Sequence, residues 1–396
     1  MNRDPTVAIV AGEASGDQIA ASLLAELRRR LRRVRFVGIG GPRMQSAGLE
    51  SWYPMETLSV RGYVEAVRSV PAILGIRRAL AARLQASPPD LFIGVDAPDF
   101  NLGLARRLRA SGIPTVQYVS PSVWAWRGER VHRVAAAVDR VLALFPFEVP
   151  IYEQVGLPVS FVGHPLADEI PESPDRQAAR EQVRVPSAVP VFALLPGSRR
   201  GELRQHARLI LDTAREVLTQ VPDARFVVPL ATRATRAQFD QAVYDAKAGD
   251  LPITTLFGHA QLAMTAADVV LVASGTAALE AAMLRRPMVI TYRVPRLTYR
   301  LMWPRRYLPW VGLPNILAGE FVVPELLQDD ATAPNLANAL VNLFRDKVVR
   351  DRQARCFEGM YRLLRRDAAR LAADAVLPLM RPPTAAGALA GGRSAS

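Results

Sequence analysis

Residues 91–101 read LFIGVDAPDFN: five apolar residues, Leu91 to Val95, are followed by a polar turn and the start of a helix-like segment. An apolar run of this length between helices is typical of a strand buried on both faces of a parallel sheet. Open α/β sheets bind ligands at the carboxyl ends of their strands. The polar residues of this turn, Asp96, Asp99 and Asn101, are therefore candidate site residues.

The same succession of apolar run, turn and helix recurs along the chain. Its apolar runs end at Ala11, Ile39, Val95, Val119, Leu144 and Val162, and, after a proline-rich linker, at Leu195, Val228, Leu256, Val272 and Ile290. We predict two doubly wound, Rossmann-like α/β domains facing a cleft, over residues 1–170 and 171–380, with helices at the C-terminal end. We predict that residues 381–396, rich in Ala, Gly and Ser, are a disordered tail.

Composition limits the class of protein. Half of the 396 residues are hydrophobic, so a sizeable core can form, and the single cysteine, Cys356, excludes a disulfide scaffold or cysteine-ligated zinc. Lys and Arg number 50 against 37 Asp and Glu, a net charge of +13 that favours an anionic partner such as a phosphorylated molecule, nucleic acid or acidic lipid surface. Without a membrane-length apolar run or a signal peptide, a cytoplasmic protein is expected.

Three small-residue loops lie between a predicted strand and a helix. The first contains Gly12, Ser15 and Gly16, and it fits either a ligand-binding turn or a tight turn without a ligand. The second, Gly197-Ser198-Arg199, combines backbone N–H groups, a hydroxyl and a guanidinium, which suit a diphosphate without a metal or a solvated basic turn. The third, Ser274-Gly275-Thr276, precedes Glu280, which could accept hydrogen bonds from ribose hydroxyls or act in a capping box.

Asp96 is the best-placed candidate for a general base, because partial burial at a strand end raises the basicity of a carboxylate. For Asp99 we favour a helix cap, and whether Asp99 or Asn101 positions a substrate is left open. No third hard ligand accompanies the two aspartates, and none of the four histidines is spaced for metal with another. We therefore expect neither a metal nor a cofactor.

Two segments mix aromatic, apolar and basic residues. The first includes Tyr63, Val67, Val70 and Ile73, and it fits either a lipid-contacting helix or an amphipathic helix packed on the core. The second includes Arg300, Trp303, Arg305 and Arg306, and it fits anionic lipid head groups or single-stranded nucleic acid.

Several motifs together resemble one family, the lipid-A-disaccharide synthases, which are GT-B glycosyltransferases of Gram-negative bacteria. The motifs are VAGEASGD (10–17), GGPRM (40–44), VDAPDFN (95–101), YVSPSVWAW (118–126), FPFE (145–148), LLPGSR (194–199), SGTAALE (274–280) and LPNILAG (313–319). The resemblance covers about residues 5 to 380, and the SPSVWAW run is specific.

The resemblance implies an inverting, metal-independent reaction. The donor would be UDP-2,3-diacylglucosamine, the acceptor 2,3-diacylglucosamine 1-phosphate, and the products the β-1′,6-linked disaccharide 1-phosphate and UDP. The first domain would hold the acceptor and the base Asp96. The second would bind the UDP-sugar through motif residues that include Arg199, Glu280 and Asn315. The enzyme would lie on the cytoplasmic face of the inner membrane.

Two alternatives remain at this point. A UDP-sugar 2-epimerase shares the two-domain architecture, and the positive charge alone would fit a nucleic-acid-binding protein. The two predicted diphosphate loops argue against nucleic acid as a partner. The C-terminal helices could exchange between protomers, which would give a homodimer.

Overall fold

The computed structural model describes residues 4–58, 63–126, 128–273, 275–296, 299–300 and 307–380, without the side chains of 63–69 and 126. The chain divides into two compact units. The first comprises the described residues of Met1–Pro165 and Arg366–Ser396, and the second is Leu166–Arg365. The predicted tail, 381–396, lies outside the described residues.

The first unit is built on a seven-stranded parallel sheet in the order β3-β2-β1-β4-β5-β6-β7. Its strands are β1 (Thr6–Ala11), β2 (Arg35–Ile39), β3 (Leu49–Tyr53), β4 (Leu91–Val95), β5 (Thr115–Tyr118), β6 (Arg140–Ala143) and β7 (Val159–Phe161). The chain winds to one side of β1 and then restarts at β4 on the other side. The carboxyl ends of β1 and β4 therefore form the switch point at which such sheets bind ligands.

The second unit repeats this arrangement in a six-stranded parallel sheet, β10-β9-β8-β11-β12-β13. Its strands are β8 (Val191–Leu195), β9 (Arg225–Leu230), β10 (Ile253–Phe257), β11 (Val269–Ala273), β12 (Met288–Tyr292) and β13 (Glu325–Leu327). The switch point here lies between β8 and β11. The loops after these two strands are those of Gly197 and Gly275.

Helices connect the strands of both sheets. In the first unit they are α1 (Ala14–Arg30), α2 (Pro42–Ser46), α3 (Tyr63–Ala86), α4 (Pro98–Ala110), α5 (Val123–Trp126), α6 (Arg130–Ala135) and α7 (Val149–Glu153). The chain continues with α8 (Pro165–Glu169), α9 (Arg176–Gln182), α10 (Arg200–Gln220), α11 (Arg233–Asp245), α12 (Ala260–Ala266), α13 (Thr276–Met283), α14 (Leu313–Ala318), α15 (Ala333–Arg345), α16 (Lys347–Leu364) and α17 (Ala368–Val376). No helix in the described ranges is long and apolar enough to cross a bilayer.

Each sheet is buried by its own helices. Every residue of β4, β8 and β11 is buried, which is why these strands are continuous apolar runs. Side chains of α4 pack on the first sheet, and side chains of α10 and α15 pack on the second. The predicted pair of doubly wound parallel sheets is confirmed, as are the C-terminal helices. That the two domains face a cleft stays a prediction.

The last helix, α17, belongs to the first unit, whereas the expected boundaries grouped it with the second. Its buried face, which includes Ala372 and Val376, packs on α1. The ion pair between Arg30 Nη1 and Asp374 Oδ1, 2.5 Å apart, joins the same two helices. The first unit is therefore made of two separate stretches of the chain.

Candidate active site

The turn after β4 carries Asp96 in an unusual backbone conformation. Asp96 and Ala97 have φ values of 53° and 41°, and Val119, after the neighbouring strand β5, has a φ of 73°. Non-glycine residues in this region cost about 1–3 kcal/mol each, and such strain is concentrated at functional sites. The strained residues follow two adjacent strands of a parallel sheet, so they share one edge of the sheet.

Two buried amides hold this turn in place. Asn101 Nδ2 donates hydrogen bonds to the carbonyl oxygens of Asp96 (2.8 Å) and of Val10 and Val95 (both 3.3 Å). Gln117 Nε2 donates to the carbonyl oxygens of Asp96 and Val119, both at 3.2 Å. Asn101 is completely buried. Its position favours supporting the Asp96 turn over contacting a substrate.

Asp99 lies on the surface, one turn away from this network. Helix α4 begins at Pro98, so Asp99 is inside the first helical turn and does not cap it. Its carboxylate is exposed and pairs with Arg130. Of the two residues left open by the sequence, Asp99 is the one that a ligand can reach.

The glycines of the first loop pack against the Asp96 turn. A Cβ atom added to Gly12 would lie 2.8 Å from the Cβ of Ala97, and one added to Gly16 would lie 3.5 Å from the Cβ of Asp96. Larger residues at position 12 would therefore push the two loops apart. Ser15, in the first turn of α1, is half-buried.

Glu148 is a functional candidate that the residue-by-residue reasoning missed, although its FPFE motif contributed to the family resemblance. It lies just beyond β6 and is only 2% exposed. One carboxylate oxygen accepts the N–H groups of Leu144 and Phe145 (both 3.1 Å), and the other accepts the indole N–H of Trp124 (3.2 Å). Burial raises the pKa of Glu148 to about 7, against the lowering effect of these hydrogen bonds and one from Ser120.

In the second unit, the Gly197 loop binds a side chain of its own helix, that of Glu202. Glu202 Oε2 accepts hydrogen bonds from the backbone N–H groups of Ser198 (2.9 Å) and Arg199 (3.2 Å). We expected these N–H groups to face a diphosphate, but in the structure they bind this carboxylate. Gly197 has a φ of 106°, and a Cβ there would lie 2.5 Å from Glu202 Oε2. The side chains of Ser198 and Arg199 are exposed.

The loop after β11 leads into α13. Gly275 precedes the helix with a φ of 129°, and Thr276 begins it; both are exposed, while Ser274 lies outside the described residues. Glu280 is half-buried in this helix. Burial raises the pKa of Glu280, a hydrogen bond from Gln261 opposes the rise, and the nearby Glu169 carboxylate adds to it.

Asn315 is a structural residue in this arrangement. Its Oδ1 accepts the N–H groups of Val322 (2.9 Å) and Val323 (2.8 Å). Its Nδ2 donates to the Val323 carbonyl oxygen and to Glu325, both at 2.8 Å. These four bonds use the full capacity of the amide, and the residue is completely buried. Asn315 therefore supports its loop and has no group left for a direct contact with a nucleotide.

The candidate lipid-contacting residues are described only in part. Val70 is 47% exposed on α3, and Arg300 is exposed. Ile73 packs against the core of the first unit instead, which leaves less of its side chain for contact with lipid. The side chains of Tyr63 and Val67, and all of Trp303, Arg305 and Arg306, lie outside the described residues.

The chain is similar to members of one protein family along almost its whole length. A family model described as lipid-A-disaccharide synthetase matches residues 7–377. The lipid-A-disaccharide synthase of Chromobacterium violaceum is 56% identical over 375 residues, covering 95% of this chain and 97% of that protein. The enzyme of the same name from Dechloromonas aromatica is 55% identical over 372 residues, covering 94% and 97%.

The chain belongs to the lipid-A-disaccharide synthase family.

Solved structures extend the comparison to the fold. A UDP-GlcNAc 2-epimerase from Neisseria meningitidis, bound to UDP-GlcNAc, matches with a TM-score of 0.64 and 11% identity, covering 95% of this chain and all of that one. A calicheamicin glycosyltransferase matches with a TM-score of 0.60 and 17% identity, covering 97% and 100%. These similarities show the GT-B fold, which glycosyltransferases and epimerases share. Membership of the lipid-A-disaccharide synthase family makes the chain a glycosyltransferase of lipid A biosynthesis, as predicted.

Proposed function

We propose that this lipid-A-disaccharide synthase transfers diacylglucosamine from UDP-2,3-diacylglucosamine to the 6-hydroxyl of 2,3-diacylglucosamine 1-phosphate. The products are the β-1′,6-linked disaccharide 1-phosphate and UDP, and the anomeric centre inverts. The observation that carries the proposal is the strained Asp96 turn at the switch point of the first sheet. A UDP-sugar donor and a lipid acceptor follow from the family.

In the proposed reaction Asp96 is the general base. Its carboxylate takes the proton of the acceptor 6-hydroxyl while that oxygen attacks the anomeric carbon of the donor. The bond between the anomeric carbon and the β-phosphate oxygen breaks, and its electron pair leaves with UDP. Asp96, now protonated, returns its proton to solvent. Asn101 and Gln117 keep the turn rigid, which holds the base in one orientation.

The second unit would bind the donor. The Arg199 guanidinium and the N-terminus of α13, at Gly275 and Thr276, would offset the negative charge that develops on the diphosphate. Glu280 would accept hydrogen bonds from the ribose hydroxyls. The backbone N–H groups of Ser198 and Arg199 could join in only after Glu202 moves away. No metal ion or cofactor is needed in this scheme.

The same proposal places the enzyme at the cytoplasmic face of the inner membrane, where its acylated substrates lie. The exposed apolar residue Val70 on α3 and the net positive charge of the chain support this location. A homodimer formed through the C-terminal helices stays a prediction. In the structure, α17 packs on α1 of its own chain.

Substitution of Asp96 tests the proposal. Asp96→Asn removes the base but keeps the shape of the side chain, so we expect turnover to fall roughly 10²–10⁴-fold, the usual size of general-base catalysis. UDP binding, measured by calorimetry, should be unchanged because the donor loops lie in the second unit. Glu153→Gln, which neutralises an exposed carboxylate on α7, should have a much smaller effect. Near-normal turnover of the Asp96→Asn enzyme would exclude Asp96 as the base.

A further inference from the structure

Glu148 is a buried carboxylate that the proposed reaction does not use. Within the described part of the chain its hydrogen-bond partners are all uncharged: two backbone N–H groups, the Trp124 indole and the Ser120 hydroxyl. A buried carboxylate without a cationic partner costs free energy. This cost points to a role for Glu148 beyond packing.

The donors around Glu148 explain why a carboxylate is needed there. Each of its two oxygens accepts hydrogen bonds, one from Trp124 and the other from Leu144 and Phe145. A glutamine could accept on only one side, because its NH₂ group is a donor. Glu148 therefore joins two loops, the one that follows β5 and the one that follows β6.

The loop after β5 is also the neighbour of the Asp96 turn. The Asp96 N–H donates to the carbonyl oxygen of Tyr118 (3.0 Å), and Gln117 bonds to both Asp96 and Val119. Ser120 follows in the same loop, and Trp124 lies in the short helix α5 that comes directly after it. The segment after β5 thus connects Trp124, which Glu148 binds, to Gln117, which binds the backbone of the Asp96 turn.

Trp124 is the side chain that Glu148 orients. Its indole N–H is fixed by the carboxylate, and its ring packs edge-on against Phe147, with centroids 5.3 Å apart and planes 80° apart. Phe147 in turn stacks on Phe145 at 5.4 Å. Although it is held on these sides, Trp124 is only half-buried. A rigid, partly exposed indole is well suited to pack against the apolar face of a sugar ring or an acyl chain.

We propose that Glu148 is a positioning residue that fixes the Trp124 indole as the surface on which the acylated glucosamine acceptor packs beside Asp96. This inference rests on the proposed function, because it takes the acceptor to bind at the Asp96 turn. Glu148 touches neither substrate. It acts on acceptor binding through Trp124.

The test is a kinetic comparison of Glu148→Gln, Trp124→Phe and the double variant, with the acceptor and the donor varied separately. Trp124→Phe keeps an aromatic ring but loses the N–H that Glu148 binds. Each single variant should raise the acceptor KM on the order of 10-fold, the effect of a lost hydrogen bond to a charged group. The kcat and the donor KM should change less than about 2-fold, because binding and not the chemical step is affected.

The double variant should be no worse than the worse single variant, because both changes break the same contact. Glu153→Gln, which neutralises an exposed carboxylate on the nearby helix α7, is the control and should behave as wild type. If Glu148→Gln does not fold, Trp124→Phe decides, because it removes no buried charge.

An unchanged acceptor KM in Trp124→Phe, or a lower melting temperature in Glu148→Gln with an unchanged acceptor KM, would overturn the inference and leave Glu148 a purely structural residue. Multiplied effects in the double variant would also overturn it. The Asp96→Asn enzyme distinguishes a failure of this inference from a failure of the proposed base. If that enzyme is inactive and the acceptor KM of the Glu148 variant is normal, only the inference fails; if it is active, Asp96 is not the base, and the acceptor position beside Asp96 that the inference assumes fails with it.

Discussion

Glu202 shows how a single side chain can affect ligand binding without touching the reacting atoms. Its carboxylate oxygen accepts the N–H groups of Ser198 and Arg199 at the N-terminus of α10, where a phosphate oxygen would also be favourable. A carboxylate and a phosphate carry the same sign of charge and compete for the same donors. A diphosphate bound by this loop must therefore displace Glu202 or be repelled by it.

From this competition we predict that Glu202→Gln binds UDP more tightly, roughly 3- to 10-fold by calorimetry. Glutamine at this position still caps the helix but carries no charge, so the fold should be retained. Glu216→Gln, the same change at an exposed position of α10, should leave UDP affinity unaltered.

Arg199→Ala should weaken UDP binding by about 1.5–3 kcal/mol, the value of a lost charge-assisted contact. If Arg199→Ala weakens UDP binding and Glu202→Gln does not strengthen it, Glu202 is only a cap. If neither variant changes UDP affinity, the nucleotide binds elsewhere.

Burial shifts the pKa values of two groups near β6 and β7 in opposite directions. Burial lowers the pKa of His164 from 6.5 to about 4, so between these values the unfolded chain binds a proton that the folded chain does not. Burial raises the pKa of Glu148 from 4.5 to about 7, so the folded chain binds the extra proton there. On acidification, His164 therefore lowers the free energy of unfolding between pH 6.5 and 4, and Glu148 raises it between pH 7 and 4.5.

We predict that these two contributions offset each other in the wild type between pH 4.5 and 6.5, each with a slope of about 1.4 kcal/mol per pH unit. Relative to wild type, His164→Gln should gain stability on acidification, because only the Glu148 contribution remains. Glu148→Gln should lose stability on acidification. Urea unfolding at a series of pH values measures how the free energy of unfolding of each variant depends on pH. If that dependence is the same in the variants as in the wild type, His164 and Glu148 do not make these contributions.

The position of Asp96 could be predicted from the sequence, whereas the roles of the residues around it could not. An aspartate directly after a buried apolar strand lies at the edge of the sheet in any parallel α/β fold, so its position could be predicted. The roles of Asn101 and Asn315 could not, because no local pattern shows which carbonyl groups a buried amide will meet. Glu148 was missed for the same reason: its donors come from loops about 20 residues apart in sequence.

At the level of whole elements, the buried strands were the most predictable parts. The apolar runs at Leu91–Val95 and Val191–Leu195 coincide with β4 and β8. The edge strands β3 and β13 were missed. They are only partly buried and include charged residues such as Glu50 and Glu325, so they lack a continuous apolar pattern. Strands with one neighbour need less apolar surface than central strands.

Helix α17 could not be assigned to the first unit from sequence, since its partner α1 lies more than 300 residues away. We predict that a chain ending at Arg366 loses on the order of 3 kcal/mol in the unfolding free energy of the first unit, because the buried alanines and Val376 no longer cover α1. A chain ending at Met380 keeps every described contact of α17 and is the control. UDP affinity should be retained in both. Identical denaturation midpoints for the two chains would contradict this role.

Considered as a whole molecule, the protein carries a net charge of +13, and its proposed substrates are acylated. We predict that it binds vesicles containing phosphatidylglycerol, that binding falls steeply between low and high salt, and that vesicles of phosphatidylcholine alone bind weakly. Val70→Asp should weaken binding roughly 5-fold or more, because it removes exposed apolar surface and adds a negative charge.

The control is Val348→Asp, the same change at a residue that is 75% exposed on α16. Equal losses in sedimentation assays for the two variants would mean that charge alone controls binding and that α3 has no special part in it. Binding that does not depend on salt would contradict the electrostatic contribution.

The discontinuity of the first unit has a consequence for synthesis on the ribosome. The second unit is continuous, so it can fold as soon as it has emerged. The first unit emerges earlier, but α17 arrives only after about 200 further residues, a delay of roughly 10–40 s at bacterial elongation rates. Throughout that delay the nascent chain displays the α1 surface that α17 will cover, a natural target for a chaperone.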